Sequence, residues 1–274
     1  MNRFHRALEH SKRPLLGASI YFYNPLFLEI VAELGFDVLW IEMEHAFITF
    51  AEAADLCRMA HGRNLLTMIR VPDARRESVL KAAECGPDMI DLPMVDSPEQ
   101  VKELLSYAKF PPLGQRGFFS VSRSLNYGLV DNLSKAQQKL NDELSLLVQV
   151  ETAEALDRLD ELCSIDGVDI FIGPADLSAS LGFPGETTHP KLLEAGRHIT
   201  ETAKKYGRRV ATAVNHREAA AWVEMGVDLI FCANDIVCLR NGASTVMRET
   251  SELRNQRETV EGLVNHLEKP CAHG

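Results

Sequence analysis

No run in this sequence approaches the roughly 18 consecutive apolar residues that a membrane helix requires, so no membrane partner is expected. Basic residues are in deficit: 29 Lys and Arg face 39 Asp and Glu, a net charge of −10. A nucleic-acid partner calls for the opposite balance and is not expected either. A small anionic substrate remains compatible, because a site can be locally positive on an acidic protein. Cysteine pairing motifs are also missing. The six cysteines, at 57, 85, 163, 232, 238 and 271, include no CxxC, and four lie in apolar patterns where small buried thiols are usual. They read as reduced thiols of a cytoplasmic protein. The opening MNRFHRALEHSKRP lacks an apolar h-region and predicts no secretory signal. The ten lysines (12, 81, 102, 109, 135, 139, 191, 204, 205 and 269) all avoid the ends of apolar runs. A Schiff-base mechanism needs a desolvated lysine amine, so that chemistry is disfavoured.

What is present is a regular alternation. Short runs at 16–22, 38–43, 65–71, 89–95, 144–150, 168–172, 209–214 and 228–232 are apolar and bounded by Gly, Pro, Asn or Asp, as strands buried on both faces are. Between them, apolar residues recur at helical spacing over 25–34, 51–61, 99–108, 153–163, 191–206 and 218–225. Eight strands, each followed by a helix, predict an α/β chain of the (β/α)8 TIM-barrel type. The absence of GxGxxG after the first run argues against an open dinucleotide-binding sheet. With 274 residues, a single domain is expected: a barrel over about 14–242 and a helical tail over 243–274, with helices at 244–255 and 258–267. Residues 110–140 read as a long loop ending in a polar helix, and long loops are often functional.

A barrel of this type places its chemistry at the carboxyl ends of its strands. Those ends carry Glu42, Met43, Glu44 and His45; Arg70; Gln149, Val150 and Glu151; Ala175 and Asp176; Val214, Asn215 and His216; and Asn234 with Asp235. Glu151 and Asp176 end adjacent strands, and two such carboxylates suit a hard cation such as Mg2+ or Mn2+. Both also precede helical patterns, where acids cap helix starts. Arg70 closes the apolar LLTMIR, a costly place for a charge without an anionic partner; a structural ion pair is the other reading. His45 follows Glu42 and Glu44, acids that could orient its ring. The Gly-Pro turn of GPADLS exposes backbone amides suited to a carboxylate.

Over about residues 14–242 the segments GFDVLWIEMEHA, MIRVP, LPMV, FPPLGQRG, LVQVETAEAL and GVDIFIGPADLSASLG, with His189-Pro190, occur in one order. In this order they resemble the HpcH/HpaI aldolases, class II pyruvate-dependent enzymes such as 4-hydroxy-2-oxoheptanedioate and 2-dehydro-3-deoxyglucarate aldolase. The resemblance implies reversible cleavage of a 4-hydroxy-2-oxo acid to pyruvate, or a related 2-oxo acid, and an aldehyde. Glu151 and Asp176 would hold a divalent cation (Mg2+, Mn2+ or Co2+) that stabilises the enolate. Gln149 and Val214 would lie near the substrate, Arg70 at its keto oxygen, and the Ala175 and Asp176 amides at its carboxylate. His45 would transfer the proton. The resemblance also implies a homo-oligomer, a hexamer built as a trimer of dimers with exchanged C-terminal helices.

Two residues depart from the family pattern. Glu42 and Glu84 stand where shorter aspartates are usual, the latter being an acid contributed by a neighbouring subunit. Ser120, Ser122, Arg123 and Asn126 are candidates for selecting the aldehyde. Two alternatives remain open at this level. One is a carbon–carbon-forming synthase of the same family, citrate-synthase-like and using an enolised 2-oxo acid or oxaloacetate in siderophore assembly. The other is a non-catalytic barrel that binds a 2-oxo acid.

Overall fold

The eight apolar runs become eight parallel strands in a computed structural model that describes residues 1–251. They are β1 (Leu15–Ile20), β2 (Val38–Glu42), β3 (Leu66–Arg70), β4 (Met89–Leu92), β5 (Ser145–Val150), β6 (Asp169–Ile172), β7 (Val210–Ala213) and β8 (Leu229–Asn234). They pair in chain order and β8 closes on β1, so the barrel is complete. The helices are α1 (Arg3–Ser11), α2 (Pro25–Glu33), α3 (Phe50–Gly62), α4 (Arg76–Cys85), α5 (Pro98–Ala108), α6 (Leu133–Glu143), α7 (Ala153–Asp157), α8 (Leu159–Ser164), α9 (Pro174–Ser180), α10 (Pro190–Lys205), α11 (Ala219–Glu224) and α12 (Asp235–Glu249). The chain divides into two units, Met1–Asp235 with the barrel and a second that begins at Ile236. The expected tail helix at 258–267, and the end of that at 244–255, lie outside the described residues. Among the described residues, no helix is long and apolar enough to cross a membrane.

Strand side chains alternate between two cores, as a period of two requires. Leu39, Ile41, Ile69, Ile90, Val148, Val150, Ile170 and Ile172 face outward into the layer shared with the helices. Trp40, Met68, Met89, Leu147, Phe171, Ala211 and Phe231 fill the barrel interior. Trp40 lies 5.2 Å from Phe171 and 5.0 Å from Phe231, ring centre to ring centre, in tilted contacts. A Cβ on Gly17 would collide with the Phe231 ring, so the β1 glycine makes room for this aromatic layer. One step further along the inward rows the chemistry changes: Glu42, Arg70, Asp91 and Gln149 form a buried polar layer.

Three helices absent from the periodicity reading occur, one of them the short α9 after the Gly-Pro turn. α1 is mostly polar, but Phe4 and Leu8 lie one turn apart and join the interior core. α4 carries its buried face largely on Ala82 and Ala83, which give a weak apolar signal. The expected helix over 153–163 is broken into α7 and α8 at Arg158, whose φ/ψ of −106° and 16° leaves the helical region. Residues 110–140 do form a long connection, relieved by a 3-10 segment (Arg123–Gly128) and the start of α6.

The amino-terminal face is closed by charge pairs. Arg3 donates to Asp88 Oδ1 at 2.7 Å, and His5 Nε2 lies 2.7 Å from Asp169 Oδ2, so α1 is tied to the starts of two strands. Asp88 Oδ2 also accepts from the Thr67 amide at 2.8 Å and faces His61 Nε2 at 2.9 Å. Burial works to raise the Asp88 pKa, but His61, Arg3 and the Thr67 amide together bring it below the usual aspartate value. Cys57, Cys85 and Cys163 are buried and unbridged. Burial pushes the Cys85 and Cys163 thiols up to about 12, which makes them inert.

Asp88→Ala leaves the buried Thr67 amide, the Arg3 guanidinium and the His61 ring without this partner. It should lower unfolding free energy by about 3 kcal/mol, measured by urea denaturation at neutral pH. Because the folded carboxyl titrates below its unfolded value, this stability is complete above the ordinary aspartate pKa and fades as pH falls through the folded one. The gap between wild type and variant should therefore shrink in acid. A gap that stays constant to pH 3 would show that Asp88 contributes no charge-dependent stability.

Candidate active site at the carboxyl end of the barrel

The polar layer is organised around Arg70, the last residue of β3. In register, Glu42 of β2 lies on one side of it and Asp91 of β4 on the other. Glu42 is fully buried, and its Oε2 accepts from Arg70 Nε at 2.6 Å and lies 2.5 Å from Nη2. Arg70 Nη1 reaches Gln149 Oε1 at 3.4 Å and Glu44 Oε2 at 3.2 Å. The guanidinium carbon lies 4.9 Å above the centre of the Trp40 ring. Burial opposes a charge there, but the surrounding acids, Glu42 first, outweigh it and hold the guanidinium protonated. The ion pair foreseen as the structural reading of Arg70 is thus present, and it fixes the guanidinium at the mouth.

Glu42 serves a second purpose. Its Oε1 accepts from the amides of Glu44 at 2.7 Å and His45 at 3.0 Å, which shapes the turn that carries the histidine. Of the two acids preceding His45, Glu44 is the one that meets the ring, with Oε2 3.6 Å from Nε2. Glu42 therefore orients His45 through the backbone. His45 itself is exposed, as a group that exchanges protons with a bound molecule needs to be.

Glu151 follows β5 and is buried. It does not cap α7; Thr152 does, accepting from the Ala155 amide. Instead Glu151 Oε1 takes the Met94 amide at 2.6 Å, from the loop that follows the neighbouring strand β4. Met94 adopts φ of 52°, a left-handed conformation unusual for its side chain, and strain of this kind collects at functional sites. Glu151 Oε2 lies against Gly173, where any Cβ would collide with it. Burial pushes the Glu151 carboxyl up to about 7, the nearby charge of Asp176 adding to the effect and the Met94 amide opposing it. Asp176 is exposed in the first turn of α9, which has no side-chain cap hydrogen bond. The first helical bond of α9 runs from the Leu177 amide to Gly173 O, so the Ala175 and Asp176 amides precede the helical ladder. Val214 follows β7 and is half-buried.

The fold brings together Glu42, His45, Arg70, Gln149 and Glu151, with Asp176 near enough to act on Glu151 through its charge. Glu84 does not join them within one chain. It ends α4 at the opposite, amino-terminal side, where its carboxylate takes Arg116 at 2.7 Å and Ser124 at 2.9 Å. The loop residues proposed to read an aldehyde lie with it. Arg123 donates to Cys85 O, and Arg123 and Asn126 line a cavity of about 340 Å3 with Arg3, His61 and Asp88. Lys109 is buried, but also towards that side, where its ammonium donates to the Asn141 and Leu144 carbonyls and burial brings it down to about 8.

Three contributors went unread in the sequence: Asp91, Trp40 and the Met94 amide. Asp91 had a signal, an acid inside the apolar run MIDLPMV, where a charge is costly unless it is used. Its Oδ2 accepts from Gln149 Nε2, and its Oδ1 has no hydrogen-bond partner. Burial raises its carboxyl well above the usual range.

Comparison with known proteins agrees with this architecture. The profile of HpcH/HpaI aldolase/citrate lyase matches residues 20–235. A hydroxypyruvate/pyruvate aldolase of Sagittula stellata is 34% identical over 246 residues, covering 88% of this chain and 95% of its own. A 2-keto-3-deoxy-L-rhamnonate aldolase of Escherichia coli K12 is 35% identical over 210 residues, covering 73% and 78%. The crystal structure of an HpcH/HpaI aldolase/citrate lyase family protein from Burkholderia cenocepacia superposes with a TM-score of 0.84 at 27% identity, covering 92% of this chain and 100% of that one. The match over most of the barrel, joined to the cluster at its mouth, establishes that this chain belongs to the HpcH/HpaI aldolase/citrate lyase family.

Proposed function

We propose that this protein is a metal-dependent class II aldolase that cleaves a 4-hydroxy-2-oxo acid reversibly to a pyruvate-type 2-oxo acid and an aldehyde. The observation that carries the reading is the single fixed guanidinium of Arg70 set beside the Glu151 and Asp176 carboxylates at the barrel mouth. Glu151 and Asp176 offer oxygen donors of the kind a divalent cation takes, though among the described residues no group of three His, Cys, Asp or Glu side chains comes together that could hold one. Burial and the charge of Asp176 push the Glu151 carboxyl up to about 7, and Gly173 keeps the space beside Glu151 Oε2 clear of side chain. Glu151 and Asp176 would hold the ion, with Mg2+, Mn2+ or Co2+ suited to oxygen ligands. Bound there, it supplies a Lewis acid for the 2-oxo group.

The chain's own residues do the rest. Arg70 donates to the keto oxygen as negative charge grows on it during carbon–carbon cleavage, and Glu42 keeps the guanidinium from turning away. The Ala175 and Asp176 amides hold the substrate carboxylate, as free amides at a helix start favour an anion. Gln149 and Val214 border the substrate. His45 takes the proton from the 4-hydroxyl and returns it in the reverse direction. The aldolase direction is preferred to the citrate-synthase-like one because two well-covered relatives carry aldolase names. A barrel that only binds a 2-oxo acid has no use for an exposed histidine held on the Glu42 turn.

The same reading assigns a cytoplasmic homo-oligomer, a hexamer formed as a trimer of dimers with exchanged C-terminal helices. In it, Glu84 of one subunit, with Arg123 and Ser124, approaches a neighbour's mouth. Leu26 and Ile30 of α2 and Leu34 at its C-cap are exposed at 70%, 55% and 72%, an apolar stripe that suits burial against another copy.

Deuterium uptake into the pyruvate methyl group tests the reading directly. Exchange should be abolished by EDTA and restored by Mg2+, Mn2+ or Co2+; exchange indifferent to EDTA would sink the metal assignment. Arg70→Ala should lower kcat for retro-aldol cleavage about 100-fold, the scale of losing an oxyanion donor, and near-normal turnover would remove Arg70 from that role. Gly173→Ala should displace the Glu151 carboxylate and weaken cation binding by about tenfold in calorimetry, while unchanged affinity would place the ion elsewhere.

A further inference from the structure

The orientation of the Gln149 amide decides what Arg70 meets on its second side. An amide presents an oxygen one way and an NH2 group the other, and only the first can accept from a guanidinium. In the structure the oxygen faces Arg70 Nη1, because the NH2 end is taken by Asp91 Oδ2 on the neighbouring strand. Glu42 fixes the opposite edge of the guanidinium. We infer that Asp91 is a positioning residue for Arg70, acting through Gln149, so that the Glu42 side and the Gln149 side together lock the guanidinium on the keto oxygen. This rests on the aldolase reading given above.

Asp91 hydrogen-bonds to Gln149 and also acts on Arg70 through its charge. It is fully buried at an inward position of β4, level with Arg70, in the place where a strand of this barrel turns from apolar to polar rows. One of its oxygens lacks any hydrogen-bond partner, and burial drives its carboxyl towards the neutral acid. A buried acid with an unsatisfied oxygen destabilises a fold, and groups of that kind persist where a site uses them.

The experiment compares Asp91→Asn, which keeps an acceptor for Gln149, with Asp91→Val, which removes it. Pyruvate methyl exchange, retro-aldol kcat and KM, and Tm are measured for each. Asp91→Asn should exchange within about twofold of wild type, whereas Asp91→Val should lose about tenfold or more in exchange and kcat. KM should change little, and the Asp91→Val Tm should be unchanged or higher, because a buried unsatisfied acid has gone. A purely structural residue would give the reverse: lower Tm with exchange per folded molecule intact. If valine prevents folding, Asp91→Ser, whose hydroxyl is too short to hold the amide, takes its place. Wild-type exchange in Asp91→Val or Asp91→Ser, or a loss in Asp91→Asn as large as in Asp91→Val, overturns the proposal. A crystal structure of the Asp91→Val protein tests the geometry without catalysis: Gln149 turned from Arg70 supports it, and an unchanged Gln149–Arg70 contact overturns it. Absence of exchange in wild type would instead count against the aldolase reading alone.

Discussion

Arg70 and Glu42 meet under the mouth of the barrel, on the ends of adjacent strands and almost out of water. Desolvating two opposite charges is expensive, and such pairs give weak net stability on their own. Their importance is geometric. The same Glu42 carboxylate that holds Arg70 also takes the amides of Glu44 and His45, so one buried group sets both the guanidinium and the turn that carries the histidine. Glutamate is long enough to serve both partners from the end of β2.

The second support of the site comes from elements far apart in the chain. Glu151 is held by the Met94 amide and given room by Gly173, while Gln149 is held by Asp91. These contacts link the ends of β4, β5 and β6 just as Glu42 and Arg70 link β2 and β3. Below them lies a dry aromatic layer of Trp40, Phe171 and Phe231, with Trp40 under the guanidinium itself. A rigid apolar floor of this kind limits how far the polar layer can relax, which is what catalysis by fixed charges requires.

The two ends of the barrel are divided by task. At the carboxyl end burial has raised two carboxyls, Glu151 and Asp91. At the amino end Asp88 is fully satisfied and shifted the other way, the mark of a residue that holds structure. Glu84 lies with that second group in the single chain, so any catalytic use of it depends on another subunit.

All eight strands and most of the barrel helices were legible in the sequence, because period-two and 3.6-residue patterns are local and each run needs only its own residues to declare itself. His45, Arg70, Gln149, Glu151 and Asp176 were candidates for a similar reason: each stands at the end of an apolar run or within four residues of it. α1 was not, since Phe4 and Leu8 gain meaning only as the plug of an interior that the rest of the chain must first build. Asp91 was passed over although it interrupts an apolar run, because its partner lies 58 residues away. Which acid meets Arg70, which oxygen of Glu151 is taken and which way the Gln149 amide turns are set by strand register and barrel closure, which no local pattern encodes. The carboxylates of Glu151 and Asp176 were thus written in the sequence as a list of residues, and only the tertiary structure brought them close enough for the charge of one to act on the other.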